Sequence, residues 1–291
     1  MVRNKYLFVL IFFLLITKSY SLELEGNWQL INADKTKVKV ENNRNTYFLI
    51  GDVKIKTEED FYSAKEIIFK PYENTVELFD DVQIRRKESK INSGYAKFDT
   101  KKEILNCTDL KEIQQENLSL KGKKSEYNIK KSILEVKEDV FFESKKYYGM
   151  ADYLIYKMDS NQVKLEGIPY IGFENNFLGG DTIIIKLGES ENINEIIINR
   201  HGDLYWEKEN DKIEINSDYI RILFSKNNKM DEAILEGDVR GYIKKKGEKN
   251  TINGRYMKVN FIDEDINDVI IKGRVKGKYI FKKEKDINDE K

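Results

Sequence analysis

Tyr47-Phe48-Leu49-Ile50-Gly51-Asp52-Val53-Lys54-Ile55 is the stretch that decides the fold. Two apolar side chains alternate with their neighbours, a short Gly-Asp turn interrupts, and a Val-x-Ile pair resumes the alternation. The same order returns along the chain. The turn triplet is Asp80-Asp81-Val82, then Thr108-Asp109-Leu110, Glu138-Asp139-Val140, Gly167-Ile168-Pro169, Gly202-Asp203-Leu204, Gly237-Asp238-Val239 and Gly273-Arg274-Val275. Successive triplets end 29, 28, 30, 29, 35, 35 and 36 residues apart, so the chain is a repeat of eight units.

The residues six and four positions ahead of each triplet's end carry the physics. They are Tyr47/Leu49, Val76/Leu78, Ile104/Asn106, Leu134/Val136, Val163/Leu165, Ile198/Arg200, Ala233/Leu235 and Val269/Ile271. All but Asn106 and Arg200 are apolar, and charged residues such as Glu77, Glu135 and Lys164 stand between them. Alternation at period two is a strand with one dry and one wet face. β-branched residues at the dry positions suit a pleated surface.

A second landmark lies between the triplets, a small or polar turn opening another strand. It reads Asn32-Ala33-Asp34, Ser63-Ala64-Lys65, Gly94-Tyr95-Ala96, Gly149-Met150-Ala151-Asp152, Gly180-Asp181-Thr182, Asn216-Ser217-Asp218 and Asn253-Gly254-Arg255. Each unit therefore supplies about two strands, and the chain is expected to be all-β, with roughly sixteen antiparallel strands. Turn residues such as Glu73-Asn74, Asp99-Thr100-Lys101 and Asp159-Ser160-Asn161 join them. The third unit, from Asn106 to Lys131, is the weakest copy, and Leu110 to Leu120 also reads as a short helix. With no Gly-, Pro- or Ser-rich linker, residues 22–281 form one elongated domain, with a softer joint expected near Asn175-Asn176 and a charged tail over 282–291.

Composition narrows the function. Lys+Arg and Asp+Glu both number 51, so no net basic charge marks a nucleic-acid binder. One Cys excludes an intramolecular disulfide framework, and one His weakens every His-dependent catalytic scheme. The expectation is a non-enzyme without cofactor or metal. Residues 1–21 read as a secretory signal peptide: Arg3 and Lys5 precede the apolar run Tyr6 to Thr17, and Ser19-Tyr20-Ser21 offers a cleavage site before Leu22. Left uncleaved, the segment would instead tether the domain to the inner membrane.

Stacked two-strand units bury one continuous stripe, over a body on the order of 40 Å long at the usual strand spacing. The end strands carry unpaired backbone groups that suit pairing with another copy. The stretches Ile31-Asn32-Ala33-Asp34-Lys35, Tyr47 to Ile55 and Ser63-Ala64-Lys65 resemble the OstA-like domain family of LptA-type periplasmic lipopolysaccharide-transport proteins. The pattern recurs from Ala151-Asp152-Tyr153 to Gly167 and at Leu235-Glu236-Gly237-Asp238-Val239. The resemblance implies a twisted antiparallel β jelly roll and an apolar groove for the acyl chains of a lipopolysaccharide-type glycolipid. It also implies periplasmic location, head-to-tail self-assembly and partners in the inner and outer membranes.

The residues placed in such a lipid groove are Leu49, Val53, Val76, Leu78, Val82, Leu134, Val136, Val140, Val163, Leu165, Leu235, Val239, Val269, Ile271 and Val275. The alternative is that they fill the core of a closed sandwich. Lys54, Arg85, Arg86 and Arg240 are candidate rim cations for phosphate head groups. A rival reading is an exported structural or adhesive β-repeat protein without lipid cargo. Other constellations are weak: His201 reads as a turn residue, and Asp263, Asp265 and Asp268 lack the Gly and terminal Glu of a Ca²⁺ loop. Asn106-Cys107-Thr108 and Asn117-Leu118-Ser119 match glycosylation acceptors, which carry little weight in a bacterial-type exported chain, and Cys107 reads as a small filler.

Overall fold

The structure, a computed structural model, describes residues 28–280 apart from 59, 87–88, 116–117, 174–175, 189–191, 210, 227–228, 246–247 and 264. The expected signal peptide, the charged tail and Asn117, Asn175, Asn227 and Asn228 lie outside the described residues.

Every pairing is antiparallel, and the chain meanders so that each pass lies beside the one before it. The first pass is β1 (Gln29–Asn32) and β2 (Lys35–Glu41), followed by β3 (Arg44–Lys56), β4 (Asp60–Lys70), β5 (Thr75–Arg86), β6 (Ser89–Asp99) and β7 (Ile104–Gln115). Next come β8 (Leu118–Lys121) with β9 (Lys124–Asn128), β10 (Ile133–Glu143), β11 (Tyr148–Lys157), β12 (Gln162–Glu166) with β13 (Tyr170–Phe173), and β14 (Asn176–Gly179) with β15 (Thr182–Leu187). The last passes are β16 (Ile193–Lys208), β17 (Asp211–Phe224), β18 (Met230–Lys245), β19 (Glu248–Ile262), and β20 (Asp265–Lys272) with β21 (Lys276–Ile280). These sixteen passes contain 21 strands because five of them break at the middle.

Two of these breaks, between β12 and β13 and between β20 and β21, fall at turn triplets, and the other three fall at Ala33-Asp34, Gly122-Lys123 and Gly180-Asp181; in unbroken passes such as β3, β5 and β10 the triplet bends the strand instead. At Gly51-Asp52 φ is +80° and +40°, at Asp80-Asp81 +59° and +51°, at Glu138-Asp139 +63° and +54°, and at Gly167-Ile168 +83° and +55°. Two successive left-handed residues slip the ladder register, as between Ile50 and Val53, and bend the pass. Gly and Asp are the residues that tolerate this conformation. Bending every pass at one level folds the sheet into two wings, one carrying Leu49 and the other Ile55. Small residues of the second landmark stand opposite the triplet ends: Ala64 pairs with Val53, Ser93 with Val82, Ala151 with Val140 and Gly254 with Val239.

Two units depart from the expected spacing. In the sixth, the left-handed pair is Arg200-His201 (φ +63° and +46°), so the corner lies two residues earlier and Ile196/Ile198 are the inward pair. In the third, Asp109 alone is left-handed, and Leu105 and Cys107 face inward in place of Ile104 and Asn106. The helix considered for Leu110 to Leu120 is absent: β7 runs on to Gln115 and β8 begins at Leu118, both hydrogen-bonded in the sheet. Leu110 and Ile113, three residues apart, both face inward because the register slips at Lys111, between the Ser93–Leu110 and Asn92–Glu112 pairs, and Leu120 on β8 is buried beside Ile113.

The inner faces align in register. In the Leu49 wing one row runs Leu49, Ile67, Leu78, Ala96, Cys107, Ser125, Val136, Leu154 and Leu165, then Ile183, Ile198, Ile220, Leu235, Met257 and Ile271. All but Ile271 are buried, and Ser125 is the row's one polar member. Opposite it, the Ile55 wing presents Ile55, Tyr62, Ile84, Ile91, Ile113, Leu120, Phe142, Ile171, Leu178, Leu204, Ile215 and Ile252. Burial of these two facing rows is the main source of stability, at about 25 cal/mol per Å² of apolar surface removed from water.

Candidate functional site

The wings meet at the bent corners and diverge toward their free edges, leaving a cleft between them. A cavity of about 560 Å³ lies between Tyr62, Ile84 and Ile113 of the Ile55 wing and Phe98, Leu105 and Leu134 of the other. Ile113 and Leu134 also line a narrower space of about 60 Å³, walled by Leu120, Leu154, Val163 and Ile185. Tyr147 closes that space and opens the next, a cavity of about 740 Å³ bounded by Phe173, Ile193, Trp206, Phe224 and Met230. Because neighbouring cavities share lining residues, they form one cleft extending from β4 to β18.

Its two ends differ from its middle. The chain has two tryptophans, and each bridges the wings near one end. Trp28 is buried and stacks on Tyr62 at 4.9 Å and on Phe69 at 6.3 Å, filling the space at the N-terminal end. Trp206 reaches Phe261 at 5.5 Å near the C-terminal end. Lysines strap the mouth in the C-terminal half. Lys146 Nζ donates to Asn192 Oδ1 at 3.3 Å, Lys208 Nζ donates to the Asp263 carbonyl at 2.9 Å and pairs with Asp265 at 2.8 Å, and Lys245 Nζ donates to the Ile266 carbonyl. Each joins an edge of the Ile55 wing to an edge of the Leu49 wing.

The polar groups of the N-terminal cavity are few. Arg86 pairs with Asp60 at 3.5 Å, and Tyr62 donates to Asp60 Oδ2 at 2.9 Å. Burial, then the Asp60 charge, pushes the Tyr62 hydroxyl far above its ordinary range, so it stays a protonated donor. Ser89, Gln115 and Ser132 add uncharged polar groups, and the remaining lining is aliphatic, aromatic or Met158.

The expected groove residues divide by depth. Leu49, Val53, Val76, Leu78, Val136, Leu165, Leu235 and Val239 are fully buried beside the corners, with Val82 and Val140 nearly so, and none of them lines the three cavities, so they fill packed core, as the closed-sandwich alternative has it. Leu134 and Val163 line the cavities themselves. Val269 and Ile271 are half-buried at the last pass, and Val275 stands 46% exposed. Most wall residues, among them Phe98, Ile113, Tyr147, Phe173, Phe224 and Met230, are ones the spacing rule does not reach. Phe173, four residues past Pro169, continues the period-two pattern, but Ile113, Tyr147 and Met230 fall off its parity and Phe98 and Phe224 lie on strands that carry no triplet, so no single spacing finds them. Of the rim cations, Arg86 lines the cleft, Lys54 pairs with Asp52 at 2.9 Å, Arg240 pairs with Asp238, and Arg85 lies over Phe61 on the outer surface.

His201 is exposed and meets Asp181 at 3.1 Å, consistent with a corner residue. Among the described residues no three His, Cys, Asp or Glu side chains are grouped to hold a metal ion. No helix among them is long and apolar enough to cross a membrane. Cys107 is buried, and burial pushes its thiol up to about 11.

Residues 72–191 match the family described as LptA/(LptD N-terminal domain) LPS transport protein. Residues 72–191 are therefore similar to this LptA-type family. The matched segment spans β5 to β15, which holds the open half of the cleft. Among solved structures, LptH, the LptA homologous periplasmic component of the conserved lipopolysaccharide transport device from Pseudomonas aeruginosa, is 13% identical, with 51% of this chain and 95% of that chain covered at a TM-score of 0.25. No curated protein sequence matches the chain.

Proposed function

We propose that this OstA-like chain is a periplasmic carrier that shields the acyl chains of a lipopolysaccharide-type glycolipid in the cleft between its wings. One observation carries the reading: three adjoining cavities between the wings, two of them walled mainly by aliphatic and aromatic side chains and the third mixed, with Phe173, Trp206, Phe224 and Met230 beside Lys146, Lys208 and Lys229. A carrier must bind hydrocarbon and also release it. Repeated Leu, Ile and Val walls supply binding by area, at about 25 cal/mol per Å², and no deep polar pocket holds the cargo at one place.

Head-to-tail assembly between the two membranes has support at the ends of the sheet. Every residue of β2 is exposed, and β2 pairs on one side alone, with β3. At the other end β20 and β21 pair with β19. Such edges template the addition of another strand.

Photo-crosslinking tests the cargo. A photoreactive residue at Leu134, Tyr147 or Phe173 in the exported protein is expected to label glycolipid, while one at Glu135 or Lys137 on the outer surface is not. Labelling from the outer positions alone, or from none, would defeat the reading.

A further inference from the structure

Positive and negative side chains balance over the whole chain, but they are not spread evenly. Cations gather on the outer face of the Ile55 wing at its C-terminal end, turned away from the cleft. Three registered rows cross β17, β18 and β19, and two of them continue onto β21. One row is Lys212, Lys244 and Lys249, the next is Glu214, Tyr242, Thr251 and Lys278, and the third is Asn216, Arg240, Asn253 and Lys276. Their strand neighbours Ile213, Ile215, Ile243 and Ile252 point the other way and are buried. On β18, β19 and β21 this face presents Arg240, Lys244, Lys249, Lys276 and Lys278, all exposed, and among the described residues no carboxylate.

Folding does not account for this arrangement. Lys212, Lys244 and Lys249 stand directly opposite one another on three neighbouring strands, and like charges so placed destabilise a sheet. Lys212 is relieved by Glu214 at 3.1 Å, and the ammoniums of Lys212 and Lys249 lie 5.5 Å and 4.0 Å from the Tyr242 ring centre. Arg240 pairs with Asp238 at the corner. Among the described residues no carboxylate pairs with Lys244, Lys249, Lys276 or Lys278. Edge protection is the usual reason for lysines on a terminal strand, but it does not reach Lys244 and Lys249, whose strands are paired on both sides.

The shape of the patch selects its partner. The cations lie on a continuous sheet face, about 4.8 Å apart from strand to strand and about 7 Å from row to row, and none of them lines a cleft cavity. A small anion needs donors that converge in a pocket. A flat lattice of ammoniums instead meets many separate phosphates at once, as the head groups of an anionic bilayer present them, and clusters of about four to eight Lys and Arg are the size that holds such a surface. We propose that the outer face of β18, β19 and β21 is a docking surface for an anionic lipid bilayer, with Lys244, Lys249, Lys276 and Lys278 meeting its phosphate head groups. This surface goes beyond the carriage of glycolipid: it lies across the sheet from the cleft, needs no cargo, and leaves the backbone edge of β21 to strand addition.

Flotation of the full chain on vesicles, without cargo, is the test. The protein is expected to float with vesicles of phosphatidylcholine and phosphatidylglycerol in equal parts, to stay behind with phosphatidylcholine alone, and to dissociate as salt is raised. Lys244→Glu, Lys249→Glu and Lys278→Glu together are expected to lower affinity for the mixed vesicles more than about tenfold. Lys101→Glu, Lys130→Glu and Lys131→Glu, the same charge change on exposed residues of the β6–β7 and β9–β10 turns, are expected to leave it nearly unchanged. Lys244→Gln alone gives a second reading: removing the central like charge is expected to raise the melting temperature while binding weakens. A thermal melt of each variant shows that it is folded before affinities are compared. The proposal is overturned by no flotation at low salt, by equal flotation on phosphatidylcholine alone, by equal losses in the two triple variants, or by unchanged affinity in Lys244→Gln. Tighter binding to poly-glutamate than to the mixed vesicles at matched charge would also overturn it, assigning the face to an acidic protein.

Discussion

Gly51 shows how much one residue decides. Its φ is +80°, and a Cβ built on it would fall 2.1 Å from Asp34 Oδ2, so both backbone and space demand glycine. Gly51→Val is expected to cost more than about 2 kcal/mol, through backbone strain at the corner and displacement of Asp34; urea unfolding of the variant measures it. In the packed core beside the corner, Val136→Ala removes methyl groups from a fully buried site between Ser125 and Leu154. The expected loss is about 1–3 kcal/mol from transfer and residual cavity, read as a lower urea midpoint at unchanged slope. Cys107 offers a chemical check. With its thiol held up to about 11 by burial, it should resist a thiol reagent at pH 8 in the native state and react in step with unfolding. Rapid modification of native protein would place it at the surface.

The strand pass is the element of this fold, and its two halves differed in how plainly the chain spells them. Where a corner uses Gly-Asp, Asp-Asp or Glu-Asp, the turn chemistry is local and visible without coordinates. Arg200-His201 is not visible in that way, because Arg does not favour a positive φ; the surrounding ladder, with Ile198 matched to Ile220 and Gly202 to Ser217, imposes it. Asp109 alone turns the third unit for a similar reason, with β8 and β9 sharing one pass beside β7. The packed rows beside the corners were legible because they lie at fixed steps from the corner. The cleft walls were not, because whether Ile113 or Phe173 touches the opposite wing depends on how far the wings diverge. That distance is set by the packing of Trp28, Tyr147 and Trp206, which no local pattern encodes.

An acid-dependent term also belongs to the elements. Glu195 on β16 is buried, which disfavours its charge, yet hydrogen bonds from Lys186 on β15 and Arg221 on β17 outweigh burial and hold its pKa below the ordinary value. A depressed carboxyl stabilises the fold above its unfolded pKa of about 4.3 and loses that contribution as pH falls through the folded value. Glu195→Gln should therefore be less stable than the parent at pH 7, by about 1–2 kcal/mol once the exposure of Lys186 and Arg221 is discounted. The gap should narrow between pH 7 and pH 3 as the depressed carboxyl takes up its proton. A gap that stays constant between the two pH values would remove the ionised pair as the cause.

At the scale of the whole molecule, the cleft is open toward the N-terminal half and strapped toward the other. Replacing Lys208 and Lys245 together by Ala frees the Asp265 and Ile266 edge from the opposite wing. The expected outcome is wider access for spin-labelled fatty acid to positions near Trp206, with little change in melting temperature, since partly exposed straps of this kind contribute about 0–1 kcal/mol each.

The meander has a further consequence. Because each pass hydrogen-bonds to the pass made just before it, no segment must wait for a distant partner, and low sequence separation between partners favours rapid ordering. A polypeptide threaded N-terminus first through a narrow exit can zip up pass by pass, each newly laid strand serving as the seed for the following one. Until the last pass arrives the growing front is an uncapped, adhesive border. Vectorial delivery, which keeps that border short-lived and lets only one be exposed at a time, should give higher yields of native protein than dilution of the whole chain from denaturant.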